Sequence, residues 1–431
     1  MPIRRHVKFL AAAGIAFAAA GGAGAQLLPA LPDPGRVIGT LGRARSDVLG
    51  RTGRVAADLT ADARALADLR ADRLRGLVDA HPHLLEMTDL GPALRGQIIA
   101  VDPSPETLDT VREAGYRIVA EEEIEGLGIR SVTLEPPGGL SLRRALGQLR
   151  RIAPDASFAA NHLHGQSGST GAAPAVPLMA GAMLAAQGGG SGPAIGIIDG
   201  GVASHPSIGG PVQQRGFVQG APAPNAHATA VASLTAGRGA VRGAAPGAPL
   251  LVADVYGRDP AGGNAIAIAR ALGWMAERRV PVVAVSLVGP NNALVERAVA
   301  QARARGVHVV AAVGNDGAAA PPAYPASYPG VIAVAGVDGR NRALIEAGRA
   351  LHLDYAAPGA DMAAANLAGG RQSVRGSSFA VPFVAGRAWR AIAGGRAPVA
   401  ALDAEAVDLP PRGADRRFGR GLVCGDCRTP L

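Results

Sequence analysis

From Ala194 onward the chain alternates apolar runs with segments of helical periodicity, and that alternation narrows the folds open to it. The runs Ala194 to Ile198, Leu250 to Val255, Val282 to Ser286, Val307 to Val313 and Val331 to Val334 are apolar almost throughout, so each strand needs cover on both faces. Helical patterns, such as Ala265 to Glu277 and Asn292 to Arg305, lie between several of them. Buried strands joined by crossover helices predict an α/β fold: a three-layer parallel sheet with helices on both faces. In such sheets reactive groups gather at the carboxyl ends of the strands.

Four polar positions fall where that rule looks for them. Asp199 ends the first apolar run and is followed by Gly200 and Gly201. A carboxylate at a buried strand end needs hydrogen-bonding partners, because burying it alone is costly. His227 opens a run of small residues, Ala228 to Ser233, that reads as a helix able to lie close on the sheet. Asn315 follows a strand and sits between Gly314 and Gly317, where a side-chain amide can donate to a developing oxyanion. Ser378, in Gly376-Ser377-Ser378-Phe379-Ala380-Val381-Pro382, is expected at the start of a helix running towards Trp389, with its backbone N–H unclaimed. Each alone has an ordinary reading: a strand end, a structural histidine, a turn asparagine, a capping serine.

Together they stand in the order Asp, His, Asn, Ser on a predicted parallel sheet, and the Asp-His-Ser order is one known arrangement of the serine triad. In these motifs the chain resembles the subtilisin-like serine peptidases (subtilases). Asp199-Gly200-Gly201-Val202, His227-Ala228-Thr229-Ala230-Val231-Ala232 and Gly376 to Pro382 resemble that family's aspartate, histidine and serine motifs. Gly243 to Ala248, Ser286 to Pro290, Tyr324-Pro325-Ala326, Ala357-Pro358-Gly359 and Phe418 to Val423 resemble further framework segments. The resemblance covers about residues 176 to 423, within an expected catalytic domain at 176–425. It implies Asp199, His227 and Ser378 as the catalytic triad and Asn315 with the Ser378 N–H as the oxyanion hole. It implies Ser286, Leu287, Val288 and Gly289 as substrate-binding residues. Three positions depart from the family pattern: Ala228 and Val288 stand where glycine is usual, and Ser377 replaces threonine. Ala228 brings a methyl group to a tight helix–sheet contact, and Val288 should narrow or reshape the pocket for the residue before the cut bond. The competing reading is a catalytically inactive subtilase-like binding protein, for which Ala228 and Val288 are the only support.

The front half divides by pattern. Residues 26 to 95 are Arg/Asp/Ala/Leu-rich with leucines at helical spacing, which predicts a long amphipathic helix or a helical hairpin. Residues 96 to 164 read as βαββαβ, a ferredoxin-like sandwich. Its helices are expected from Pro105, after a Ser104 cap, and from Leu140 to Ile152. By resemblance this block is the family's inhibitory propeptide, with its end near Phe158 to His164 laid through the cleft. The chain would then be a zymogen that cuts itself between about residues 160 and 190. His162 and His164, alternating at a strand end, read as solvent-exposed side chains. Residues 165 to 193, rich in Gly, Ser, Ala and Pro, read as a linker.

Residues 1–25 read as a signal peptide: Arg4, Arg5 and Lys8, an apolar run from Phe9 to about Ala20, then Ala23-Gly24-Ala25. The expected address is therefore secreted or periplasmic, with no stable membrane span. In that setting Cys424 and Cys427 read as a local disulfide. The net charge of +9 is nearly all arginine and scattered, which speaks against a nucleic-acid partner and leaves protein or peptide substrates. No cofactor is required by the chemistry. Calcium is possible by resemblance, but no cluster of Asp, Asn and Glu marks a site.

Overall fold

The computed structural model describes residues 52–170 and 193–431. The expected signal segment, the beginning of the expected helical segment and most of the expected linker lie outside the described residues.

Within the described part, helix α1 (Thr52–Ala80) is a single helix rather than a hairpin. Arg70 and Arg73 near its end pair with Asp316 at 3.0 and 2.7 Å, so it lies against the loop that follows Asn315. Strand β1 (Leu85–Met87) then pairs antiparallel with β2 (Pro92–Val101). The front sheet thus begins before residue 96, the boundary expected from the pattern. Next come α2 (Pro105–Glu113), β3 (Arg117–Ile124), β4 (Ile129–Glu135), α3 (Leu142–Ile152) and β5 (Ser157–His162). Strand β2 pairs with β4 and β5, and β4 with β3, all antiparallel, which is the ferredoxin-like arrangement. Helix α2 starts where the Ser104 hydroxyl accepts from the Thr107 N–H and Pro105 occupies the first turn, where no partner for its nitrogen is needed.

The two faces of this sheet are buried differently. Ile98, Ala100, Val132 and Leu134 point to its own helices, against Leu108, Val111, Leu142, Leu146 and Leu149. The alternate residues Ile99, Val101 and Ile129 join a second core that contains the helices of the following domain. A one-residue step turns each side chain to the other face, so a single strand supplies both cores.

Two short strands, β6 (Gly165–Gln166) and β7 (Ser169–Thr170), follow. Residues 165–170 are therefore paired backbone, not linker. The larger sheet takes β8 (Ile195–Asp199), β9 (Val212–Gly216), β10 (Leu250–Asp254), β11 (Val282–Val285), β13 (His308–Ala312), β14 (Ile332–Val337) and β15 (Tyr355–Pro358), in the order β15-β14-β13-β11-β8-β10-β9. All its pairings are parallel. Helices α4 (Ala226–Ala236) and α7 (Val381–Ala393) cover one face, packed on Ile195, Ile197, Val252, Ala284, Val310 and Val334. Helices α5 (Ala265–Glu277) and α6 (Ala293–Ala304) cover the other, packed on Ile198, Ala253, Val283, Val309 and Ala333. Strand β12 (Leu287–Val288) leaves the end of β11 and pairs with β6. Strands β16 (Met362–Ala365) and β17 (Arg371–Arg375) form a hairpin that β7 extends. Helix α8 (Pro398–Glu405) precedes a tail in which Cys424 and Cys427 are joined by a disulfide.

The strand order reverses at β8. From there the chain crosses to edge strand β9, returns to β10 beside β8, and then builds outward on the other side through β11, β13 and β14 to β15. Asp199 ends β8, so it stands at the point where parallel sheets open a crevice.

Candidate active site

Strand β8 delivers Asp199 fully buried, and its carboxylate is held from three sides. Oδ1 accepts from the Gly200 N–H and from Gln166 Nε2, both at 2.7 Å. Oδ2 lies 2.8 Å from His227 Nδ1. These partners make a buried carboxylate tolerable.

His227 sits in the first turn of α4. Asn225 caps that helix, its Oδ1 accepting from the His227 and Ala228 N–H groups. This fixes the backbone, and the Phe379 ring steadies the imidazole from the side, with ring centroids 5.0 Å apart. Nε2 is 2.9 Å from Ser378 Oγ. Ala228 is fully buried, so its methyl group is accommodated with both imidazole contacts kept.

Ser378 lies in a 3₁₀ turn, Ser377–Phe379, ahead of α7, and Pro382 fits the first turn of that helix. Its carbonyl accepts from Ser286 Oγ at 3.0 Å. Asn315 follows β13 and is clamped by the same turn: its Oδ1 accepts from the Ser377 N–H at 2.9 Å, while Ser377 Oγ donates to the Gly314 carbonyl. The clamp leaves Nδ2 facing the cleft, where it donates to the Ser167 carbonyl at 2.5 Å. The Ser378 N–H donates to the same oxygen at 3.1 Å. The structure thus brings Asp199, His227, Ser378 and Asn315 to one rim, with two N–H donors converging on one carbonyl.

The stretch Ser286 to Gly289 forms the adjacent wall. Leu287 pairs with Gln166 and Val288 with Gly165. Across from Val288, a Cβ placed on Gly314 would meet each Val288 γ-carbon at an ordinary contact distance of 3.7 Å, so the Val288 side chain faces Gly314.

The segment in the cleft is His164 to Thr170, so only the last residue of the expected one, Phe158 to His164, reaches it. The rest differs because Ser157–His162 belong to β5. His162 and His164, expected at the surface, are both buried. His162 is covered by Thr88 and Asn292. The His164 ring packs where a Cβ on Gly289 would collide with it, and neither of its ring nitrogens has a hydrogen-bond partner. Burial pushes their pKa values down, to about 4 for His162 and about 3 for His164, the latter also through its neighbour His162.

Asn225, Gln166 and Asp254 are site residues that sequence reasoning passed over. Asn225 had a signal, an asparagine just before a run of small residues. Asp254, whose pKa burial raises, accepts from the Ala223, Tyr256 and Gly257 N–H groups and shapes the loops beside Asp199. Gln166 had no signal, since nothing local marks a residue that reaches a distant carboxylate.

Among the described residues, the one compact group of metal-ligating side chains is Cys424, Asp426 and Cys427, and its thiols are joined in the disulfide. No described helix is long and apolar enough to cross a membrane.

Residues 190–397 match the sequence model of the subtilase family. Subtilisin BL of Lederbergia lenta is 36% identical over 209 residues, covering 46% of this chain and 76% of the relative. Subtilisin Savinase of the same organism is 35% identical over the same shares. An alkaline protease of Shouchella clausii is 35% identical, and the chain spans 53% of its length. Among solved structures, fervidolysin from Fervidobacterium pennivorans, a keratinolytic enzyme related to subtilisin, aligns over 80% of this chain and 62% of its own with a TM-score of 0.62. At 18% identity that likeness concerns the fold.

Proposed function

The chain belongs to the subtilase family of serine endopeptidases, and from that premise we propose that Ser378, His227 and Asp199 form a working triad that hydrolyses peptide bonds in proteins. The observation that carries the reading is the unbroken contact line, Ser378 Oγ to His227 Nε2 at 2.9 Å and Nδ1 to Asp199 Oδ2 at 2.8 Å. A serine hydroxyl is a weak nucleophile at neutral pH and needs a base within hydrogen-bond reach. Asp199 accepts from Nδ1–H, which leaves Nε2 free to take the hydroxyl proton and return it to the leaving amine. The charge that builds on the attacked carbonyl oxygen falls between the Ser378 N–H and Asn315 Nδ2.

The ferredoxin-like block is proposed as a propeptide that inhibits its own enzyme, and the chain as a zymogen opened by self-cleavage within 160–190. The paired segment 165–170 over the triad supports this. An exported enzyme fits the Cys424–Cys427 disulfide and the charged-then-apolar pattern of residues 4–20.

A fluorophosphonate probe tests the triad. The processed enzyme is expected to label at Ser378, and Ser378→Ala to lose both label and peptidase activity. Labelling that survives Ser378→Ala removes this serine from the mechanism.

A further inference from the structure

The backbone crossing the cleft is fixed on both sides of one peptide bond. Upstream, Gly165–Gln166 lies antiparallel to Leu287–Val288, and the Ser167 N–H donates to the Ser286 carbonyl at 3.3 Å. Downstream, Ser169–Thr170 pairs with Val374–Arg375. Between them the Ser167 carbonyl oxygen receives the Ser378 N–H and Asn315 Nδ2 at 3.1 and 2.5 Å. Further back, the His164 N–H donates to the Gly263 carbonyl, and Tyr256 donates to the His164 carbonyl, both at 2.8 Å.

We infer that Ser167–Gly168 is the bond this enzyme cuts in its own chain, and that the same site selects peptides with a small residue before the cut and glycine after it. This rests on the triad reading above. Glycine is required by space. A Cβ on Gly168 would collide with Ser378 Oγ, and would stand 2.7 Å from Phe379 Cε2 and 3.2 Å from His227 Nε2. Phe379 is fully buried and cannot withdraw, so the added methyl displaces the nucleophile from its base. The small residue follows from Val288, which pairs with Gly165 and whose γ-carbons face Gly314 across the wall beside Ser167.

In the reaction, Ser378 Oγ bonds to the Ser167 carbonyl carbon while its proton passes to His227 Nε2. The Ser167–Gly168 C–N bond then breaks, and the Gly168 amine leaves with that proton. Water attacks the resulting ester, gives one proton to His227, and releases the Ser167 carboxyl group. The proton on His227 returns to Ser378 Oγ.

The test uses the full-length chain. N-terminal sequencing of the processed wild type is expected to read Gly168-Ser169-Thr170, and Gly168→Val to slow that cut roughly 100-fold. Ser378-dependent processing at another bond overturns the inference and leaves the triad reading standing. Processing at Ser167–Gly168 that persists in Ser378→Ala overturns both. Because Gly168→Val could fail to fold, the processed wild-type enzyme is also given peptides with Ser-Gly, Ser-Ala and Phe-Gly at the cut. Ser-Gly is expected to be at least about tenfold better in kcat/KM than either of the others, with Val288→Gly recovering Phe-Gly. Equal rates for all three overturn the selectivity.

Discussion

Asn315 carries two tasks on one amide, and they can be separated by kinetics. Its oxygen anchors the turn that holds Ser378, and its nitrogen donates to the Ser167 carbonyl. The donor matters most when that oxygen is charged, so its loss falls on turnover rather than on binding. Asn315→Ala is expected to lower kcat roughly 10²–10³-fold with KM little changed, the size of effect known for losing one such donor in a related enzyme. An unchanged kcat in the purified variant removes Asn315 from the oxyanion hole. Asp199, His227, Asn315 and Ser378 could be singled out in the sequence because each ends or opens an element whose apolar pattern is plain. Gln166, Ser167 and Gly168 could not, because their surroundings come from residues more than thirty positions away and their own stretch has the composition of a loop.

The same contrast runs through the elements. The central strands β8, β10, β11, β13 and β14 were legible because burial on both faces leaves an apolar run. Edge strand β9 was not, since Val212-Gln213-Gln214-Arg215-Gly216 alternates between partly buried and exposed positions. Strand β5 was readable as a strand, but the burial of its end was not, because Asn292 and Thr88 close over it from other parts of the fold. That burial is expected to make the contact between the front block and the catalytic domain sensitive to acid. His162 and His164 are neutral while covered, with pKa values of about 4 and about 3 against an ordinary 6.5. His162 is the charged neighbour that bears on His164 when protonated, while Tyr256 donates to the His164 backbone carbonyl. A base whose pKa is depressed in the closed state favours closure fully above its ordinary value. That contribution is lost as pH falls from about 6.5 towards 3 to 4. The cut front fragment is therefore expected to leave faster at pH 5 than at pH 7.5, and a His162→Leu/His164→Leu variant to lose most of that dependence. An identical pH slope in the variant, followed by fragment release, removes these histidines as its source.

At the scale of the molecule, the front block and the catalytic domain complete one another. Ile99, Val101 and Ile129 share a core with α5 and α6, and Arg270–Glu122 and Arg297–Asp102 pairs flank it. A parallel sheet is slow to form because its pairings join distant residues, and on the propeptide reading proposed above the front block's apolar face against α5 and α6 is expected to assist that assembly. Because the bond over the triad belongs to the same chain, its cleavage is expected to be first order: a hundredfold dilution of the precursor leaves the rate constant unchanged. A rate that falls with dilution shows that one molecule cuts another. The ladders on Leu287–Val288 and the shared core do not depend on the Ser167–Gly168 bond, so its scission alone does not vacate the cleft. Activity should then begin after a delay whose length is the fragment's residence time, which makes the tightness of that embrace a clock for when proteolysis starts.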